Sequence, residues 1–288
     1  MNIFDRMMSF DRRWVFLFLA LVCVITYVAK FSVPIVTTYE VESIYNRVES
    51  LNEGDILFLG IDYDPNALAE LHPMAYAIAE HAFRKKLKVL FVTLSQNGPG
   101  MADQAIRDLT DSLRQDRTYN GVFYPGREIV NGEDYVFLGY KPYPGLVILG
   151  MGQNFRIPFP TDYYGTPLDS IPMMKGVLNY DQVKCVIDLA AGNVADMWIV
   201  YGAGRYNVPL ALGMTGVMGA DYYPFLNSGQ VFGLMGGLLG AAQYEQLADN
   251  PGPAKDGMRI QLYAHITIIL FILMGNIGFL VTRRKNGV

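Results

Sequence analysis

KVLFVTLS, residues 88 to 95, has apolar side chains at Val89, Leu90, Phe91, Val92 and Leu94, on both faces that an extended chain presents. A continuous β-branched and leucine run of this length suits a strand covered on both sides of its sheet. The residues around it repeat one grammar. Asn97 to Gly100 supplies turn and cap residues, and Met101 to Leu113 returns to a helical period. Upstream, Asp55 to Asp62 (DILFLGID) is too brief for a buried helix and reads as a strand. Pro73 to Lys86 reads as a helix: Pro73 suits a first turn, and Arg84, Lys85 and Lys86 suit the negative end of the dipole.

The same alternation continues downstream. Tyr135 to Tyr140 (YVFLGY), Lys184 to Leu189 (KCVIDL) and Val208 to Met214 read as strands, the last with Pro209 marking a start or an edge, and Val194 to Arg205 reads as a helix. Strands alternating with helices predict an α/β fold: a Rossmann-like, mainly parallel sheet flanked by helices and joined by right-handed crossovers. Arg114 to Glu133 is polar and turn-rich. Lys141 to Asp169 is dense in Pro, Gly and aromatics and is expected to be an ordered insertion packed on the domain or on a membrane surface. Within it, periodicity leaves Gly145 to Gly152 undecided between a strand and a short helix.

Two apolar runs bracket this domain of residues 55–249. Leu262 to Thr282 is 21 residues long and ends against Arg283, Arg284 and Lys285. At about 1.5 Å per residue it reaches roughly 30 Å, the thickness of a bilayer's hydrocarbon core. Trp14 to Val36 follows Arg12 and Arg13 and makes the matching span, with Lys30 placed to snorkel. A cleaved signal peptide competes for this first run, but no clear small-x-small cleavage site follows and the run is long for one. Counting Lys and Arg near the spans gives six outside the pair (Arg6, Arg12, Arg13, Arg283, Arg284, Lys285) and four between (Lys30, Arg47, Lys255, Arg259). The positive-inside rule then predicts a cell-membrane protein with both termini cytoplasmic and the central domain extracytoplasmic. Thr37 to Asn52, within a connecting segment 37–54, has Val41, Ile44, Tyr45 and Val48 on one helical face. The exit is a Pro/Gly linker, Asn250 to Gly257, within 250–261.

Ser228 to Leu247 is expected to be one helix. On it Gly233, Gly236, Gly237, Gly240 and Ala241 step four apart in pairs, a smooth face for close packing within the domain or between subunits. Each glycine costs a helix interior about 1 kcal/mol, so such a run needs a packing reason.

A net charge of −4 with no basic stripe outside the helix flanks argues against a nucleic-acid partner. Cys23 and Cys185 have no metal-site spacing. In an open parallel sheet, ligands bind beyond the carboxyl ends of the strands. Asp62, Asp64, Ser95, Asn97, Asp188 and Asn193 fall there and form a candidate ligand crevice, although turn and cap roles explain each of them as well. Ser95 to Gly100 (SQNGPG) lacks both the G-x-G-x-x-G spacing and a Walker ending. A hydrolytic set of Ser95, His72 and Asp62 can be written, without a G-x-S-x-G elbow to support it. His265 and Asn276 are polar groups at membrane depth.

The leading expectation is a membrane-anchored scaffold or accessory subunit of an oligomeric membrane assembly, with no catalysis, metal or cofactor of its own. Its partners would be the lipid bilayer and further copies or other membrane subunits. The alternative is a small-ligand-binding or hydrolytic domain using the crevice. A further alternative, an accessory subunit of a transporter or channel, rests on His265 and Asn276.

Overall fold

The computed structural model describes residues 11–29, 31, 33–119, 121–250 and 252–285. The chain divides into two compact units, Ile35–Lys255 and the two terminal segments Met1–Pro34 with Asp256–Val288.

The first unit is built on a six-stranded sheet whose strands are all parallel. In chain order these are β1 (Ile56–Asp62), β2 (Lys88–Thr93), β5 (Tyr135–Tyr140), β6 (Val183–Ala190), β7 (Leu210–Met214) and β8 (Gly233–Gly236). A separate antiparallel pair, β3 (Arg117–Tyr119) and β4 (Val122–Tyr124), forms a hairpin in the polar segment. The spatial order β5-β2-β1-β6-β7-β8 is, for the six sheet strands counted along the chain, 3-2-1-4-5-6. That is the doubly wound order of the Rossmann sheet.

The helices are α1 (Arg12–Ala29), α2 (Tyr39–Glu49), α3 (Leu68–Arg84), α4 (Gly98–Leu113) and α5 (Pro144–Gln153). α6 (Val194–Met197) runs on through a π-helical stretch, Trp198–Ala203, to a last turn at Gly204–Tyr206. α7 (Gly237–Leu247) and α8 (Pro253–Lys285) complete the set. On one face of the sheet, Ile61 and Phe91 meet Ala75 and Ala79 of α3 and Ile106 and Leu109 of α4. On the other, Phe58 lies edge-on to Trp198 with centroids 5.3 Å apart and stacks on Phe155 at 6.2 Å. Each such ring pair adds about 0.5–1.5 kcal/mol beyond the burial of its area.

The five strands read from the sequence all form, and the structure revises several boundaries. α3 starts at Leu68 behind a 3-10 turn, Pro65–Ala67, so Pro73 sits in its second turn rather than its first. Pro209 precedes β7, an inner strand, and marks a start and not an edge. The Pro- and aromatic-rich insertion contains α5 and packs on the domain through Phe155, Phe159 and Leu168, all fully buried. The first apolar helix ends at Ala29, short of Val36, and α8 begins at Pro253, inside the expected linker.

The largest correction concerns Ser228 to Leu247. It is not one helix: Gly233–Gly236 is the sixth strand, paired along Ala211 to Met214, and the helix begins only at Gly237. Gly237 has φ +58°, a left-handed conformation that breaks any helix running into it. Gly233 and Gly236 therefore share no helical face with Gly240 and Ala241. Gly233, Gly237 and Gly240 are used inside the domain instead. A Cβ on Gly240 would lie 3.0 Å from Met235, and one on Gly233 would strike Ile44 of α2.

The two terminal helices are long and apolar enough to cross a membrane. In their unit, Phe18 of α1 meets Phe271 of α8 edge-on at 5.7 Å and Phe31 meets Tyr263 at 5.6 Å.

Candidate functional site at the carboxyl ends of β1, β2 and β6

In the observed order the chain leaves β1 toward β2 on one side and leaves β6 toward β7 on the other. The carboxyl ends of β1 and β6 thus mark the topological switch point, where doubly wound sheets hold ligands. Two aspartates converge there. Gly60 pairs with Asp188 and Asp62 with Ala190, and alternate residues of a strand share a face. Asp62 and Asp188 therefore lie on the Phe58 side, beneath Trp198. Gly60 makes this possible, because a Cβ at that position would sit 2.5 Å from Asp188 Oδ1. A glycine inside a strand often marks such a close approach, and that is the one signal in the sequence for this pair.

Both carboxyls are buried, Asp62 to 3% exposure and Asp188 to none. Burial pushes Asp62 up to about 6, and the hydrogen bond from Asp188 and the backbone N–H of Leu94 oppose it. Asp62 Oδ1 accepts the Leu94 N–H. Asp188 is raised well above the usual carboxylate range, first by burial and then by the Asp62 charge beside it. Among the described residues no N–H or hydroxyl donor reaches Asp62 Oδ2 or either oxygen of Asp188, and the Trp198 Nε1–H finds no acceptor. The satisfactory arrangement is one proton shared between the carboxyls, with Asp188 the protonated donor and Asp62 the acceptor. The pair can offer an ionised acceptor or a held proton to a polar group brought beside it.

The loops after β1 and β2 are laced together above this pair. Asp64 accepts from Ser95 Oγ at 2.8 Å and from Asn97 Nδ2 at 3.2 Å. Gly98, the first residue of α4, is packed so closely on Thr93 Oγ1 and the Ile61 carbonyl that a side chain there would collide with both. Tyr222 Oη donates to Asp196 Oδ1 at 3.1 Å, and the Asp188 charge contributes to raising the Tyr222 hydroxyl, after burial and Asp196 itself. Of the residues named from the sequence, Asp62, Asp64, Ser95, Asn97 and Asp188 come together. Asn193 stands exposed at the start of α6, with its carbonyl accepting the Met197 N–H and no bond into the group. Trp198, Thr93 and Gly60 were not legible as members.

No family model, curated protein or solved structure matches this chain. Its function is therefore argued from the site alone.

The hydrolytic set is not assembled. Ser95 Oγ is given to Asp64, and the His72 ring pairs through Nδ1 with Tyr63 Oη at 2.8 Å. His81 is buried between helices, with Nε2 2.8 Å from Glu49 and Nδ1 2.9 Å from Tyr244 Oη. Among the described residues no group of three or more His, Cys, Asp or Glu is placed to hold a metal ion. Asn276 returns its side-chain N–H to the Ile272 carbonyl at 2.8 Å, one turn back on its own helix, and His265 is exposed.

Proposed function

We propose that this chain is a two-span membrane protein whose α/β domain binds a small polar ligand, neutral or cationic, at the β1/β6 switch point. The observation that carries this is the buried Asp62–Asp188 pair. Removing a carboxylate from water costs several kcal/mol, and replacing such buried groups by a well-packed neutral pair is commonly neutral or stabilising. Stability alone therefore gives no reason to keep two aspartates under Trp198, whereas strongly shifted acids in a switch-point crevice mark functional sites.

The sign of the ligand follows from the loop chemistry. A dinucleotide-binding sheet places a glycine-rich turn after its first strand, where backbone N–H groups meet the pyrophosphate. Here that position holds Asp62, Tyr63 and Asp64. Carboxylates repel phosphates and attract amines and hydroxyl donors, so amines, amino sugars and polyols fit this crevice. The scaffold reading yields first place because Gly233, Gly237 and Gly240, three of the glycines that motivated it, are packed against other parts of the domain.

Anchoring is supported by the exposed apolar surface of both terminal helices, only 6% and 11% of whose apolar windows are buried. Aliphatic and aromatic side chains of this density belong in lipid. The flanking charges favour cytoplasmic termini and an extracytoplasmic domain.

The experiment is thermal unfolding of the full-length chain in a neutral detergent, with amines, amino sugars, polyols and, as a contrasting class, nucleotides. At least one of the first three classes should raise the wild-type Tm, with no rise in Asp62→Asn of unchanged circular dichroism. No shift with any class, or the same shift in Asp62→Asn, overturns the reading. For orientation, Asp111→Cys in a chain lacking Cys23 and Cys185 should react with a membrane-impermeant maleimide added to intact cells. Reaction only after lysis would reverse the topology.

A further inference from the structure

At the opposite, amino-terminal end of β7 and β8 lies a groove of about 860 Å³, bounded by α2 on one wall and by the chain before each of the two strands on the other. Its volume is in the range of small-molecule sites, about 300–1,000 Å³. The wall from α2 presents Tyr39, Ser43, Asn46, Arg47 and Ser50, one helical face. The facing wall includes Asn207, Gln230 and Phe232. Among the described residues no Asp or Glu lines it.

Among the described residues Arg47 is the only charged one in this lining. Its guanidinium lies over the Phe232 ring, with Cζ 5.6 Å from the centroid. Its Nε–H is buried with no acceptor among the described residues. The positive charge is felt across the sheet: burial pushes the Cys185 thiol up to about 12, and Arg47 opposes that rise. An arginine keeps its proton under all ordinary conditions and offers a planar fork of donors matched to carboxylate and phosphate oxygens. A buried donor left without an acceptor loses roughly the full cost of its desolvation, so such a group calls for a partner. Stacking on Phe232 holds the fork in place before any partner arrives.

We propose that this groove binds the anionic group of a small molecule, a carboxylate or a phosphate, with Arg47 as its anchor. The site is independent of the switch-point crevice: it has the opposite charge preference and shares no residue with it. A soluble anion and the phosphate of an anionic lipid offer the same chemistry, and the test separates them.

The full-length chain in neutral detergent is titrated with inorganic phosphate and with citrate at constant ionic strength, following Tm. The same chain is then placed in nanodiscs of phosphatidylcholine with and without phosphatidylglycerol. The expected result is a saturable rise in Tm with a soluble anion, or a rise confined to discs containing phosphatidylglycerol, the first identifying a soluble ligand and the second a lipid headgroup. Arg47→Gln should weaken the response tenfold or more, as expected for loss of one charge-assisted contact. Ser43→Glu keeps Arg47 and places a carboxylate one turn before it, in the favourable i, i+4 orientation. That variant should have a raised Tm without added anion and no further response, and it remains informative should Arg47→Gln unfold. Asp62→Asn should respond like the wild type. No saturable response under any condition, or an undiminished response in Ser43→Glu, overturns the proposal.

Discussion

Glu245, in the interior of α7, accepts the backbone N–H groups of Ala254 at 2.9 Å and Lys255 at 3.0 Å, so one buried carboxylate caps the amino end of α8. The first N–H groups of a helix lack partners within it and carry the positive end of its dipole, and a carboxylate satisfies both. Two neighbours on α7 hold the incoming chain. Gln243 Nε2 donates to the Val36 carbonyl at 2.6 Å and Gln246 Nε2 to that of Ile35 at 3.1 Å. A single helix turn therefore fastens both the entry to the domain and the exit from it.

Removing that cap should loosen the exit selectively. Glu245→Ala takes the acceptor from the buried Ala254 N–H and the part-buried Lys255 N–H and is expected to cost about 1–3 kcal/mol. Limited proteolysis of the full-length protein should show faster cleavage between residues 249 and 256, with the sheet's own fragments unchanged.

Gly237→Ala and Gly236→Ala should differ sharply. At Gly237 the backbone is left-handed at φ +58°, and a Cβ would lie 2.9 Å from Gly216 Cα and from Glu70 Oε2, which accepts the Gly216 N–H at 2.7 Å. At Gly236 a Cβ would meet nothing within 4 Å among the described residues. The first substitution should cost about 2 kcal/mol or more and the second almost nothing, read from thermal unfolding. Equal effects would return the two residues to one helical face.

Asp188→Asn should change the dependence of stability on pH. A carboxyl whose folded pKa is raised favours folding most when protonated. Its contribution is complete below the unfolded value near 4, and it is lost as pH rises through the folded values, about 6 for Asp62 and well above the usual carboxylate range for Asp188. The variant should be the more stable protein at pH 8, and its advantage should shrink on acidification toward pH 4. A constant difference between the two proteins across that range would contradict the shared proton.

His81 should act in the opposite sense. Burial is the main cause that depresses it to about 4, so the folded state holds it neutral; Glu49 resists this shift, while Arg84 and Lys85 add to it. Its contribution is present above the unfolded value near 6.5 and is lost as pH falls from there to about 4. At about 1.4 kcal/mol per pKa unit this amounts to about 3 kcal/mol. His81→Gln should flatten the acid limb of the stability profile between pH 6.5 and 4, measured by denaturant titration. The Asp62 term slopes the other way over part of that window, so each variant must be compared with the wild type and not with the other.

How much of this was legible in the residues depended on whether a short-range pattern carried it. The runs DILFLGID, KVLFVTLS and YVFLGY announce strands because both faces of each are apolar, and that requirement is local. The strand Gly233–Gly236 was hidden, since GLMG inside a glycine-spaced stretch satisfies a helical period equally well and only pairing with Ala211 to Met214 makes it a strand. Of the site, Asp62, Asp64, Ser95, Asn97 and Asp188 could be named from their positions at or just beyond the carboxyl ends of strands. Asn193 could be named too and does not join them.

The sequence alone determined that this is an alternating α/β chain between two apolar terminal helices, because strand, helix and apolar length are each written in neighbouring residues. It did not determine the spatial order of the strands, which depends on crossovers that span tens of residues and leave no local trace. That order, decided only in the tertiary structure, brings Asp188 across Gly60 to Asp62, and the enclosing of Arg47 between α2 and the chain ahead of β8 is likewise tertiary. Burial, not residue type, makes those groups chemically unusual, and burial exists only once the layers have closed.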